Sequence, residues 1–327
     1  MTDFTLHFAF SYQLLILLTV ILIKAVVSHF VVHEPLRYFH FYCQRLSDKV
    51  NKAQNSPQQL TIAGLVAILV TLTPIFLVLW LFEAFIEVDF LWQALLLYLA
   101  IGSFGLSQVN KTIAQALVAK QNYLAKQTLK PWVLRATEPL SSLGLSKATI
   151  EMKLLRSLQQ GYAVAIIFLI AGPLPALSYR LLLEMHYCWN SKFEKFKHFG
   201  RYCSLLVNLL QWLPVRIFSL LLLFNCIGKN FLLFWRLSKK HIFQLDNNIA
   251  LLLTALSLEI KLGGVAMYVN TEGLNLKLRK VSFNDLARQP QPTDIIHGNN
   301  KVNYLLWISL FIMLLPTTCF ELVIANI

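Results

Sequence analysis

The sequence predicts an all-α, polytopic integral membrane protein with about four transmembrane helices and further buried or re-entrant helices on the cytoplasmic side. Three observations carry that expectation. Of the 327 residues, 57% are hydrophobic and only 14% charged, whereas a soluble domain gives about a quarter of its positions to charge. The apolar residues gather into runs of about 20, the length that crosses a bilayer core. Lys and Arg (29) outnumber Asp and Glu (16), and much of the surplus lies in loops, where cationic residues mark the cytoplasmic side. A net charge of +13 suits membrane lipid or an anionic ligand, and nothing in the chain calls for nucleic acid.

Taken in order, MTDFTLHF places an acid where a signal peptide has basic residues, and the apolar run behind it is too long for a signal core. Residues 8–32 are therefore the first expected span, with Lys24 near its inner end snorkelling to the headgroups. Residues 60–85 and 90–106 are the second and third, the third being the shortest, and 302–324 the last. Arg37, Arg45, Lys49 and Lys52 follow the first span, while Glu87 and Asp89 join the second to the third. The N-terminus should then face outward and the basic loops the cytoplasm, which suits a bacterial plasma (inner) membrane.

Residues 162–183 and 205–234 are also apolar enough to span, and six spans is the competing count. A crossing there would leave the basic segment 192–201 outside. Both are expected as buried or re-entrant helices broken at Pro173, Pro175 and Pro214. Residues 111–130 read as a polar helix, and Ser146 as the cap of a helix starting near Lys147. An apolar helix over 247–262 should stop at Gly263 and Gly264, and 270–300 read as a polar linker. The expected organisation is thus 1–110 for the N-terminal spans, 111–300 for a cytoplasmic-facing helical region and 301–327 for the C-terminal span.

Familiar catalytic signatures are missing: there is no phosphate-binding glycine loop and no nucleophile elbow. The five cysteines are scattered and odd in number, so neither a disulfide framework nor a zinc site is expected. His29, His33 and His40 would share a face on an unbroken helix, as metal ligands or as interfacial residues. A transporter would need polar groups at mid-membrane in several spans; beyond Lys24 and Glu83 these spans offer almost none.

Residues 199–221, FGRYCSLLVNLLQWLPVRIFSLL, resemble the segment F-G-x-x-S-A-R-x-D-D-x-x-N-W-I-P-A-R-L-T-A of the cobalamin-biosynthesis membrane synthases, the CobD/CbiB family, in which Phe199, Gly200, Trp212, Pro214 and Arg216 match. In the same order, His33-Glu34-Pro35-Leu36-Arg37 resembles the family's H-P-V-R. Gly172 to Arg180 resembles G-x-P-G-A-x-x-Y-K, and TALSLEIKLGGVAMY, 254–268, resembles A-x-x-L-x-V-x-L-G-G-x-x-x-Y. The resemblance implies a synthase that joins a propionate of cobyric acid, a corrinoid, to aminopropanol or its phosphate. That is a ligase reaction driven by ATP with Mg2+. It also implies a substrate- and phosphate-binding set of Arg37, Arg180, Asn208, Arg216, Lys261, Gly263, Gly264 and Tyr268; interfacial anchoring for the cations and a helix cap for the glycines are the other reading.

The departures fall on acids. The family's E-N-x-x-D-G corresponds to Arg156–Gly161, its paired aspartates to Val207 and Asn208, and a further aspartate to His186. Magnesium needs oxygen ligands, usually carboxylates, and Glu34, Glu184 and Glu259 are the candidates left beside the retained motifs. A second reading follows from these losses. AmpE, a membrane protein linked to β-lactamase induction, has the same W-x-P-V-R segment and lacks the acidic motifs, which would make this chain a non-catalytic regulatory or accessory protein with a protein partner.

Overall fold

A computed structural model describes residues 2–28, 36–52, 54–102, 105–224, 231–239, 241–269 and 275–325, without the side chains of 2–9, 269, 275–277, 279–280 and 315–325. Helices dominate it. In chain order they are α1 (Thr2–Val27), α2 (Arg37–Val50), α3 (Pro57–Glu83), α4 (Asp89–Ala100), α5 (Leu106–Val118), α6 (Asn122–Leu129) and α7 (Ser142–Arg156). One π-helical turn, Ser157–Tyr162, joins α7 to α8 (Ala163–Ala171); α9 (Pro173–Cys188), α10 (Arg201–Phe224), α11 (Phe231–Ser238) and α12 (Asn248–Ser257) follow. An antiparallel hairpin, β1 (Leu262–Val269) with β2 (Asn275–Phe283), precedes the last helix, α13 (Pro292–Ala325).

Among the described residues, four helical segments are long and apolar enough to cross a membrane: Phe10–Val27, Pro57–Glu83, Ser142–Ala171 and Arg201–Phe224. The first two match the expected spans. The second starts cleanly because Ser56 and Gln59 form a reciprocal capping box with Pro57 in the first turn, satisfying amides that the helix leaves open. The expected third span differs: its helix, α4, has 12 residues, too few for a bilayer core. Instead of running on, the chain leaves the helix at Ile101, and the Gly102 amide donates to the Gln160 carbonyl at 2.9 Å. Residues 302–324 lie within the continuous helix α13.

The stretch 162–183 does turn back. Gly172, at φ 89 and ψ −175, holds a conformation essentially restricted to glycine, and Pro173 and Pro175 stand in the first turn of α9, where a proline's missing amide costs little. The Tyr187 hydroxyl then donates to Gln159 Oε1 at 2.9 Å, so α9 returns alongside α8 and the chain is back beside its starting turn by residue 187. A hairpin of this kind brings the end of α9 back to the π turn. Pro214, by contrast, does not break its helix: α10 runs unbroken through it.

Other expectations also give way. Ser141 rather than Ser146 caps α7, accepting from the Gly144 amide at 3.3 Å. The polar helix of 111–130 is two helices hinged at Lys120, φ 59. The presumed linker contains β2, and Gly263 and Gly264 lie in β1 rather than at a helix end. Lys24 does not snorkel outward. It is buried, its Nζ donating to the carbonyls of Tyr98 (2.7 Å) and Ile101, where a cation answers the partial negative charge of a helix C-terminus.

Two apolar cores result. One gathers α1, α3, α4, α8, α9 and the first half of α10; the other gathers α5, α6, α7, α12, the start of α13 and the second half of α10. The α7–α8 unit and α10 belong to both, so they fix the two cores relative to each other. Gly172→Ala should lower stability by about 1–3 kcal/mol through its forced backbone conformation, read as a lower melting temperature in detergent. Gly161→Ala, with open space at its Cβ position and a helical backbone, should leave it within about 1 kcal/mol.

Candidate functional site: two adjoining cavities at the π turn

Two cavities meet where α7 widens into the π turn. The first, about 840 Å3, lies between α2, the segment 131–134, the end of α9 and residues 195–196. The second, about 450 Å3, is enclosed by 132–135, α7, the end of α9, Asn208 of α10, residues 246–248 and the hairpin. Trp132, Val133, Leu134, Arg156 and Tyr187 line both. Arg156 is the shared post: its guanidinium lies 5.1 Å from the Trp132 ring and 5.3 Å from that of Tyr187, and Nε donates to the Trp132 carbonyl at 2.9 Å. Stacking against two aromatic rings holds an arginine in place.

The π turn displaces backbone bonding, and neighbours take up what it frees, as such bulges require. Gly102 and the Tyr179 hydroxyl donate to the carbonyls of Gln160 and Gln159. A relay of amides runs along the wall: Tyr187 Oη donates to Gln159, Gln159 Nε2 to Gln211 Oε1 (3.0 Å), and Gln211 Nε2 to Asn208 Oδ1 (2.8 Å).

The acids on these walls are engaged. Glu184 is buried on α9, bonded to Arg180 and 3.5 Å from His40 Nδ1. Burial pushes its carboxyl up, but Arg180 and His40 outweigh burial and hold it below the usual carboxylate range. Asp48 pairs with Lys195 at 3.1 Å. Glu151 bridges Arg135 (2.9 Å) and the Gly263 amide (3.0 Å), tying the hairpin to α7. Gly263 is required there: at φ 75 a Cβ would stand 2.1 Å from the Val281 carbonyl oxygen. Asp246 accepts from the Asn248 amide at 3.1 Å. Burial and Lys192 pull the His186 imidazole down to about 4, and its Nδ1 shares a hydrogen bond with Ser204 Oγ at 3.1 Å.

The structure divides the sequence-derived set. Arg37 lines the first cavity; Asn208, Gly263 and Tyr268 line the second. Arg180 is buried behind the first cavity and committed to Glu184. Lys261 sits at the base of the hairpin, paired with Asp285 at 2.7 Å, and neither it nor Gly264 lines either of these two cavities. Arg216 turns to the main chain, its donors meeting the carbonyls of Ile242 (2.7 Å), Asp246 (3.2 Å), His241 (3.1 Å) and Gln244. The four cations therefore do not form one anion-binding set.

Of the magnesium candidates, Glu34 lies outside the described residues, as do His29 and His33. Glu184 is paired, and Glu259 stands in an exposed turn at φ 52. No group of three or more His, Cys, Asp or Glu converges among the described residues. The residues that sequence reasoning missed as cavity groups are Arg156, Arg135, Glu151, Tyr187 and Lys192. Arg156 alone carried a signal, as a cation where the family motif has an acid.

A family model described as CobD/Cbib protein matches residues 17–296. The chain belongs to the CobD/CbiB family. Among curated relatives, a protein of Chromobacterium violaceum named "Cobalamin biosynthesis protein CobD" is 28% identical over 211 residues, 64% of this chain and 67% of the relative. Proteins of the same name from Stutzerimonas stutzeri and Leptospira interrogans are each 27% identical, over 47% and 56% of this chain and 51% and 60% of theirs. The chain thus spans between about half and two thirds of the length of these relatives. No solved structure matches it.

Two expectations follow from the geometry. Arg216→Ala, and to a lesser degree Arg216→Lys, should free the 241–246 segment, raising its proteolytic cleavage and lowering stability by about 2 kcal/mol or more as charge-assisted bonds are lost. Stability should also depend on His186. Its folded value lies below the usual ~6.5, so the unfolded chain takes up the proton first. Stability is then full above pH ~6.5 and is lost as the pH falls from there toward 4. His186→Asn should flatten that slope in melting curves recorded across pH.

Proposed function

We propose that the chain acts in cobalamin biosynthesis, binding a corrinoid acid and its amine co-substrate in the paired cavities. The reaction is amide formation between a propionate of cobyric acid and aminopropanol or its phosphate, driven by ATP. The observation that supports this reading is the cavity pair itself. Its larger member is within the range of about 300–1,000 Å3 usual for ligand sites, and the smaller adjoins it, giving room for a macrocycle and a smaller partner side by side. Arg37 and Arg156 suit carboxylate or phosphate groups. The aromatic faces of Trp132 and Tyr187 suit a flat apolar ring.

In this reading Arg156 orients an anionic group at the junction, and Arg37 holds a second from α2. Asn208, at the end of the amide relay, contributes a neutral contact. His186 stays unprotonated at neutral pH, so it meets the substrate as an acceptor or a weak base rather than as a cation. The protein belongs in a bacterial inner membrane with its N-terminus outside and the basic loops in the cytoplasm, where nucleotide is available. The absence of converging carboxylates among the described residues favours a second reading, that of an AmpE-like accessory protein that binds without catalysing and works with a protein partner.

Complementation of a strain lacking the synthase separates the two. Corrinoid-independent growth restored by the wild-type chain, and reduced about tenfold or more by Arg156→Ala at equal membrane abundance, supports the synthase; one charge-assisted contact is worth about that factor. No rescue, with normal amounts of protein in the membrane, overturns the catalytic reading. Retained binding of cobyric acid to that same protein would then favour the accessory role.

A further inference from the structure

The π turn has a second face. Behind it, between α1, α7 and α13, lies another cavity, of about 220 Å3, which shares only Arg156 with the pair described above. Among the described residues no Asp or Glu lines it, whereas Lys153, Arg156, Ser107, Tyr162, Gln160 and Asn303 do. Lys153 is buried on α7, and its Nζ donates to Ser107 Oγ at 3.2 Å. Asn303 Nδ2 donates to the same oxygen at 3.1 Å, so one hydroxyl serves two donors. The Tyr162 hydroxyl is buried without a partner. An ammonium has three protons to place, and a buried cation with no carboxylate on its cavity wall is costly until an anion arrives.

The cavity also continues into a groove of a different character. Trp307 and Leu310 of α13 line both spaces. Beyond them, a groove of about 360 Å3 runs between α1 and α13, walled by Leu18, Ile308, Phe311 and neighbouring apolar or aromatic side chains. A donor-lined chamber that opens into an apolar channel on a helix with Trp307 and Phe311 exposed has the polarity of a single ligand: an anionic head on an acyl chain. Inorganic phosphate would leave the groove unused, and a zwitterionic head would bring a second cation toward Lys153 and Arg156.

We propose that this chamber and groove bind one anionic phospholipid of the surrounding bilayer. Its phosphodiester lies against Lys153 and Tyr162, and its acyl chain passes Trp307 along α13. The site is separate from the corrinoid reading, and its test reads lipid alone. Delipidated full-length protein in neutral detergent is titrated with phosphatidylglycerol or phosphatidylcholine and followed by native mass spectrometry. Phosphatidylglycerol should bind about tenfold more tightly, the worth of one charge-assisted contact.

Lys153→Met should erase that preference, Lys153→Arg should keep it, and Leu310→Trp should weaken both lipids by filling the groove. Tyr162→Phe, which removes only the unpartnered hydroxyl, should weaken phosphatidylglycerol several-fold, and it carries the test if Lys153→Met does not insert. Equal binding of the two lipids by the wild type, or a preference unchanged in both Lys153→Met and Tyr162→Phe, overturns the proposal. Displacement of the lipid by millimolar inorganic phosphate also overturns it, since the site would then recognise a soluble anion and not an amphiphile.

Discussion

The stacking of Arg156 between Trp132 and Tyr187 is the contact on which the described architecture turns. It needs three separate pieces of chain at one point: the end of α7, the segment that follows α6, and the end of α9. The last arrives only because Gly172 reverses the chain, and it stays because Tyr187 donates to Gln159 within the π turn. An unbroken α-helix through 157–162 would rotate the residues on either side of it by a different amount and would not need the outside donors that now reach Gln159 and Gln160. The hairpin joins the same assembly through the Ala136 amide, which donates to the Met267 carbonyl at 2.8 Å, and through Glu151. Loss of the π turn would therefore disturb all three cavities together.

Hydropathy and loop charge revealed the first two long apolar helices, and the prolines the turn within 162–183, because length and the position of proline are properties a sequence carries directly. The third span was misread for a reason a hydropathy window cannot register: the helix ends where a distant carbonyl on the π turn captures the Gly102 amide. The hairpin was hidden by composition, since β2 is rich in Lys and Arg and reads as solvated linker, and the paired glycines resemble a helix end until the Val281 carbonyl is seen against Gly263. Lys24 and Arg216 illustrate a further limit. Both are cations within apolar stretches, for which lipid headgroups or an anion are reasonable partners on sequence grounds, yet both satisfy backbone carbonyls of neighbouring segments. Which acceptor a long side chain reaches is decided by tertiary placement alone.

Of the residues the family motifs suggested, only half form cavity walls. Arg37, Asn208, Gly263 and Tyr268 do line the cavities. The positions where the family has acids are more informative still. Arg156, Asn208 and His186 line the second cavity and Gln160 the one behind the π turn, while Asn208 is joined through Gln211 and Gln159 in a relay that begins at Tyr187. Each carbonyl oxygen of that relay already accepts from the preceding donor. A chain of this kind is neutral and carries no carboxylate charge of its own.

The same substitutions change what the walls can attract. Where carboxylates would hold a cation that in turn holds phosphate, this chain brings Arg156 directly to the junction, so that an anion would meet a guanidinium without an intervening ion. Direct contact fixes geometry through a planar fork but supplies only one positive charge, less than a divalent ion would bring to a phosphoryl group in transfer. Binding can therefore persist where chemistry slows. In the function proposed above, each missing acid would cost rate before affinity, and the cavity pair would hold an anionic ligand better than it would activate one.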